Sequence, residues 1–587
     1  MSLISASLTS RVLVKTAQVI LIGALTSLPF NLPIWTRDVK IQDADTFDFI
    51  IVGAGTAGSV LANRLSEIQN CSILVIEAGE DPPIESVLPG GFSLLQKTKY
   101  DWNYTTEYSE KFSLGHLGEV WELPSGRILG GTSSINHLLY ARAFPSDFDS
   151  WAETANNSGW KYENIERYFY KSEKLKDETI MNSEFERYHG LHGNIQTARE
   201  PDPVVDKYLD AIKEIGYKVL LDTVHHVLAF SQPLFFIFDG KRQSTAQTYL
   251  LPIKDDRNNL YILKDTFVTE VVFNKNLAAT GVLALSKDNK VMRFYTRKEV
   301  ILSAGVFNSP KVLMLSGIGP KAELEKLSIP ILVDLPVGEN FQDITGVFLI
   351  ENIQNLQTII PPMKPPTQFP TPGIVGYVNL TETVNRPTYQ PIDLVFQNTL
   401  VFSQICSIVF TFKDEICDSI IKQVNEREFL LMLPSVFHPK SRGKVGLRSI
   451  NAKDGLKIQA NYYSDDSDIA KTIAVIKDNL KIENSTFYKN VGAEFVKIDL
   501  PECEKYEYRS QDYWKCYIKY MSFSHYYYTS TCSMGSVVDG ELNVIGVKNL
   551  RVVDASVIPY SPSANPETTV IVIAEKAADL IKNKYYD

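Results

Sequence analysis

The chain has 587 residues, of which 44% are hydrophobic and 22% charged, and a formal net charge of -10. That length is more than one hydrophobic core serves, so two or more domains are expected. An acidic balance without an internal repeat or a low-complexity tract argues against nucleic acid and anionic membrane surfaces as partners.

The amino terminus reads as an address. Arg11 and Lys15 precede an apolar run at 19–28, closed by Pro29. The run is too short to span a bilayer, and its basic flank fits a secretory signal over 1–28; an uncleaved anchor is the alternative. Secretion gives the Asn-x-Ser/Thr sites at Asn70, Asn103, Asn156, Asn379 and Asn484 a meaning as glycan acceptors. Asn70 and Asn103 fall close to the core of the first domain and are the weaker acceptors. Six cysteines in so long a chain do not make a disulfide scaffold. Cys503 and Cys516 flank a short polar segment and are the favoured bridge. Cys406 and Cys417 form a second candidate pair, and Cys532, in an apolar motif, reads as a buried thiol. The expectation is an extracellular glycoprotein with no membrane association once the leader is removed.

The most informative segment follows. Residues 47–52 form an apolar run of buried-strand length, then come Gly53, Gly55 and Gly58 at G-x-G-x-x-G spacing. Gly53 allows the tight turn, Gly55 lets a pyrophosphate approach the backbone, and Gly58 lets a helix pack on the sheet. Thr56 and Ala57 open that helix, expected over 57–68, with its positive end toward the phosphates. A second apolar strand ends at Glu77, about 20 residues on, where a carboxylate takes ribose hydroxyls. Strand, glycines, helix, strand and terminal acid in register indicate a dinucleotide site.

Further motifs come in order. Residues 126–136 join paired glycines, including Gly131, to small hydroxyl residues and Asn136, which offers both a donor and an acceptor. Residues 300–320 read as a strand, a turn at Gly305 and a helix to Leu315. Residues 337–343 read Val-Gly-Glu-Asn-Phe-Gln-Asp. The Pro-rich stretch 361–372 reads as a rigid surface loop. His438-Pro439-Lys440-Ser441-Arg442-Gly443 follows. Residues 550–556 contain Asp554, and Asn565-Pro566 leads into a helix expected over 569–582.

As a set these elements resemble the glucose–methanol–choline (GMC) family of FAD-dependent oxidoreductases, over nearly everything after Asp43. Tyr513-Trp514-x-Cys516 and the leader resemble its insect branch, near glucose dehydrogenases and aryl or salicyl alcohol oxidases. The resemblance implies an α/β, Rossmann-like FAD domain assembled from 44–205, 240–345 and 538–587. It also implies an α+β substrate domain with an antiparallel sheet, built from 206–239 and 346–537. By motif, Gly53, Gly55, Gly58 and Glu77 hold the ADP half, and Asn136 and its loop lie against pyrophosphate and flavin. Val268 lends backbone on the adenine side, Asp554 sits near the pyrophosphate and ribityl chain, and Asn565 faces the substrate hydroxyl. The implied reaction oxidises the CH–OH group of a small alcohol to an aldehyde, with aromatic and terpenoid alcohols as candidates. No metal is implied.

The chain departs from the family where the chemistry is done. Anchored on Thr531, Cys532, Met534 and Gly535, the position of the family's catalytic His holds Tyr527, and the motif's Gly is Ser530. Ile344 stands where His often follows Gln-Asp. A His with pKa near 6.5 is ready to accept a proton at pH 7, whereas a Tyr near 10 is a donor. His525 shares a face with Tyr527 if the segment is extended, and reads either as a relay or as a satisfied pocket histidine. His137, beside Asn136, is displaced from the positions where flavin is linked covalently. Two functions follow: an alcohol oxidase or dehydrogenase assisted by Tyr527, His525 and Asn565, or a weakened paralogue that binds FAD and a small molecule without efficient turnover.

Overall fold

The computed structural model describes residues 33–37, 40–354, 364–381, 386–397, 399–425 and 427–586. The expected leader and the start of the Pro-rich stretch lie outside the described residues.

Seven strands make the first sheet: β1 (Thr46–Val52), β2 (Ile73–Ile76), β3 (Leu260–Leu263), β4 (Phe267–Phe273), β5 (Ala279–Leu285), β6 (Val291–Leu302) and β7 (Leu550–Val552). The order is β3–β2–β1–β6–β5–β4, with β7 also on β6. β6 is long enough to serve two partners on one side. Its first half pairs antiparallel with β5, and its last three residues pair parallel with β7. Along the parallel part the register is tight. Val52 faces Ile76 and Leu302, and Ile76 faces Leu263. The carboxyl ends of five strands therefore reach one edge together, which is where open α/β sheets bind ligands.

Three helices bear on that edge: α1 (Thr56–Leu65), α2 (Gly305–Leu315) and α3 (Pro566–Tyr586). α3 begins three residues before the sequence expectation, because Pro566 sits at the first helical position, where its missing N–H costs nothing. α3 packs on α1. Arg64 on α1 makes a forked contact with the buried Glu575 on α3 at 2.8–3.0 Å, and Tyr249 donates to the same carboxylate at 2.9 Å.

A second, six-stranded antiparallel sheet runs Glu494–Phe495, Leu349–Asn352, Phe429–Met432, Ile392–Phe396, Gly373–Gly376, Phe230–Ser231. Beside it, Ser522–Ser524 pairs antiparallel with Thr345–Val347 and delivers 525–528 into the space between the sheets. Both expected disulfides form, Cys503–Cys516 and Cys406–Cys417, and Cys71 and Cys532 are buried thiols. Among the described residues no helix is long and apolar enough to cross a membrane.

Candidate active site and cofactor cleft

One continuous cleft of about 300 Å³ runs from the strand ends of the first sheet to the face of the second. Gly53, Gly55, Thr56, Ala57, Glu77, Gly131, Asn136, Val268, Asp554, Asn565, His525 and Tyr527 all line it. Gly58 does not, and its constraint is packing: a Cβ there would lie 1.9 Å from the Gly53 carbonyl oxygen. Gly53 takes φ +97°, a conformation glycine adopts freely. Gly55 differs from both. A Cβ there meets only the Gly131 Cα, at 3.6 Å, so the protein leaves this space open.

Glu77 directly follows β2 and accepts backbone N–H groups from Ala54 and Gly79, both at 2.8 Å. Burial pushes its carboxyl up to about 7 against the pull of those bonds. Val268 is buried on β4, the edge strand. Asp554 is committed to the protein: it accepts from Gly305 N at 2.9 Å, Ser309 Oγ at 2.5 Å and Ser556 N at 2.8 Å, tying β7 to the start of α2. Asn136 uses both ends of its amide. Its Nδ2 donates to Glu567 Oε2 at 2.5 Å, and Arg242 donates to its Oδ1 at 2.8 Å. Burial pushes Glu567 up to about 7. Arg242 and Glu567 escaped the sequence reading; the available signal was an acid in the first turn of α3, directly after Asn565-Pro566.

At the far end the chain leaves Ser522–Ser524, turns at Tyr526 with φ +65°, and runs along the cleft. The Asn565 amide donates to the Tyr527 hydroxyl. The Tyr527 ring packs among Phe144, Ile344, Tyr377 and Phe437, and its N–H donates to Asp343 at 2.9 Å. Ile344 is thus part of the apolar floor under Tyr527. Asp343 also accepts from Ser524 Oγ and Tyr462 OH, each at 2.5 Å. Its neighbour Gln342 donates to the Pro559 carbonyl at 2.9 Å. The Asn-Phe-Gln-Asp run therefore clamps both the Tyr527 segment and the loop that carries Asn565.

Burial pushes the Tyr527 hydroxyl well above the ordinary tyrosine range, and the neighbouring Tyr377 adds to the effect. His525 has its ring centroid 5.4 Å from that of Tyr527, with no hydrogen bond between them among those described. Its Nε2 is buried without a partner and points at Gly346, where a Cβ would lie 2.5 Å away. Burial pushes its pKa down to about 3. His137 also faces the cleft, edge-on to Phe92 at 5.0 Å and Tyr526 at 5.9 Å.

The GMC oxidoreductase family model matches residues 47–345 and 439–574. The chain belongs to the GMC oxidoreductase family. Ecdysone oxidase of Bombyx mori is 36% identical over 570 residues, covering 94% of this chain and 84% of that protein. Glucose dehydrogenase (FAD, quinone) of Drosophila melanogaster is 30% identical over 561 residues, covering 92% and 87%. A formate oxidase of Aspergillus oryzae superposes with a TM-score of 0.80 at 23% identity, covering 93% of this chain and 99% of that one, which speaks to the fold.

FAD is the cofactor of this GMC oxidoreductase, and the cleft suits it. The open space at Gly55 lies at the amino end of α1, where a pyrophosphate belongs. Ser303 Oγ, Glu567 Oε1 and Asn565 Oδ1 are buried, line the cleft and have no protein partner.

Proposed function

We propose that this GMC oxidoreductase oxidises the CH–OH group of a small, apolar alcohol, aromatic or terpenoid, to the aldehyde, and does so slowly. The observation that carries this reading is the apolar wall of the cleft that Tyr527 and Asn565 also line. Phe235, Phe369, Val375, Leu394, Phe410 and Phe523 line it. Stripping water from several hydroxyls without replacing those bonds is costly, so such a wall suits a ring or an alkenyl chain and rejects a sugar.

Bound FAD would supply the hydride acceptor. The chain's residues bind and orient the alcohol. Asn565 Oδ1, a buried acceptor without a partner, would take the substrate O–H. The Tyr527 hydroxyl accepts from the Asn565 amide and keeps its own proton at neutral pH. It can donate to the alcohol oxygen but cannot remove a proton. A positioned base is worth on the order of 10²–10⁴ in rate, and its absence sets the expected slowness.

The missing base at Tyr527 also supports the second reading, a paralogue that holds FAD and a small molecule without efficient turnover. Anaerobic flavin bleaching by a panel of benzylic and terpenoid alcohols, ecdysone and glucose decides between them. Faster bleaching by glucose than by any apolar alcohol would overturn the substrate class. No bleaching by any of them would favour the second reading. For the setting, the leader, the acceptor asparagines and two disulfides together support secretion, since disulfides persist in oxidising compartments.

A further inference from the structure

The loop at 559–565 carries Asn565 and joins the turn after β7 to α3. It has no regular structure to hold it, so side chains must. One anchor is a three-residue chain of hydrogen bonds drawn from three distant parts of the sequence. Asp147 lies in the first turn of the helix Pro145–Thr154. Its Oδ2 accepts from the Ser563 N–H at 2.8 Å, and its Oδ1 accepts from the Ser563 hydroxyl at 2.9 Å. On the other side His438 Nε2 lies 2.9 Å from the same hydroxyl oxygen. Because the Ser563 proton goes to Asp147, His438 must donate from Nε2.

The anchor also touches the floor beneath Tyr527. Asp147 Oδ2 accepts from the Phe144 N–H at 3.0 Å, and Phe437 precedes His438. Phe144 and Phe437 belong to the same buried apolar cluster as Tyr527. Ser563 and Asp147 are almost wholly buried, at 0% and 3% exposure. A single node therefore holds the loop two residues before Asn565 and is joined through the chain to two members of the Tyr527 cluster.

We propose that Ser563, held between Asp147 and His438, is a positioning residue for the Tyr527–Asn565 pair, with Asp147 as its anchor. The inference rests on the alcohol-oxidising reading only in naming what the pair orients. A misplacement of about 1 Å at a reacting centre costs on the order of a hundredfold.

Asp147→Asn separates positioning from bulk. The amide oxygen can keep both backbone N–H groups while its NH₂ donates to Ser563. The serine proton then turns to His438, which accepts in its other tautomer. The test uses the FAD-loaded protein and compares Ser563→Ala, Asp147→Ala, Asp147→Asn and His438→Ala. It reads FAD content, melting temperature, the rate of flavin reduction at saturating benzyl alcohol, and the visible circular dichroism of the flavin.

The expected result for the Ser563→Ala and Asp147→Ala proteins is a rate lower by about 10- to 100-fold. Their dichroism should be altered and their FAD content retained, while Asp147→Asn stays within a few-fold of wild type. Unchanged rate and dichroism in loaded Ser563→Ala would overturn the proposal. If both alanine variants fail to fold, the half-buried His438→Ala decides by the same two readouts. If no alcohol of the panel reduces either wild type or Tyr527→His, the alcohol reading has failed, and the dichroism still judges the positioning role.

Discussion

The proposed chemistry turns on Tyr527. Its hydroxyl meets the Asn565 amide and its ring sits in an apolar nest, so burial keeps it protonated across the physiological range. Tyr527→His should raise the rate of flavin reduction by roughly 10–10³, within what a general base contributes, as measured by anaerobic stopped flow. The nest also favours the neutral imidazole, so the new titration should fall below the usual 6.5, with the rate rising as pH passes upward through it. His525 is a different matter. A relay through it would place a titration near pH 6–7 in the rate profile, yet burial holds it near 3 and its free nitrogen faces Gly346. The wild-type profile should therefore carry no His525 titration between pH 5 and 8, and His525→Ala should leave the shape of that profile unchanged. Five residues after His525, Ser530 takes φ +79°. The family's motif has glycine there, and a side chain in that region costs on the order of 1 kcal/mol. Ser530→Gly should raise stability by about that amount in denaturant unfolding, less whatever the lost bond from Ser530 Oγ to Thr529 Oγ1 contributed.

At the scale of elements, the β1 turn, α1 and β2 form a unit in which two glycines fail for different reasons. A Cβ at Gly58 collides with the Gly53 carbonyl oxygen at 1.9 Å, so Gly58→Ala must push α1 off the sheet. It should lower the melting temperature whether or not FAD is present. A Cβ at Gly55 finds only ordinary contact within the protein. Gly55→Val should spare the melting temperature of the cofactor-free protein and reduce FAD content, read from flavin absorption per protein. Undiminished FAD in that variant would remove the pyrophosphate from this turn. This unit was legible in the sequence because its constraints are local: a strand, a turn and a helix within some thirty residues, each with its own residue chemistry. The two disulfides were legible for the same reason, closing short segments. The Asp147–Ser563–His438 node was not. Ser563 lies 416 residues from Asp147 and 125 from His438, and no periodicity marks such pairs. Asp343 lay within a recognised motif, but its hold on the Tyr527 N–H follows from the pairing of Thr345–Val347 with Ser522–Ser524, which only the fold reveals. Tyr527 itself was found by sequence as a break in a pattern; its apolar nest was not.

For the molecule as a whole, the surface bears on where the protein works. Asn70, Asn156 and Asn484 are exposed, and Asn379 is half-buried. Proximity to the core counted against Asn70 in the sequence, yet it lies in the exposed turn between α1 and β2. Asn103 is exposed as well, but its amide is occupied. Nδ2 donates to the Thr98 carbonyl at 3.2 Å and the Asp101 carbonyl at 3.0 Å, closing a turn in which Asn103 takes φ +54°. A glycan attached through that nitrogen would remove one of its two donor hydrogens and open the turn. If the protein passes through the secretory pathway, the acceptors should divide accordingly. Expressed in eukaryotic cells it should reach the medium, and amidase removal of N-glycans should increase its mobility in a gel. Asn484→Gln and Asn156→Gln should each remove one glycan's worth of the shift, and Asn103→Gln should remove none. Retention of the full-length chain in the cytosol would count against the leader. Secretion without any mobility shift would leave the leader standing and remove the glycans. A lost step at Asn103→Gln would show that the turn opens during synthesis, before the Thr98 and Asp101 carbonyls can claim the amide.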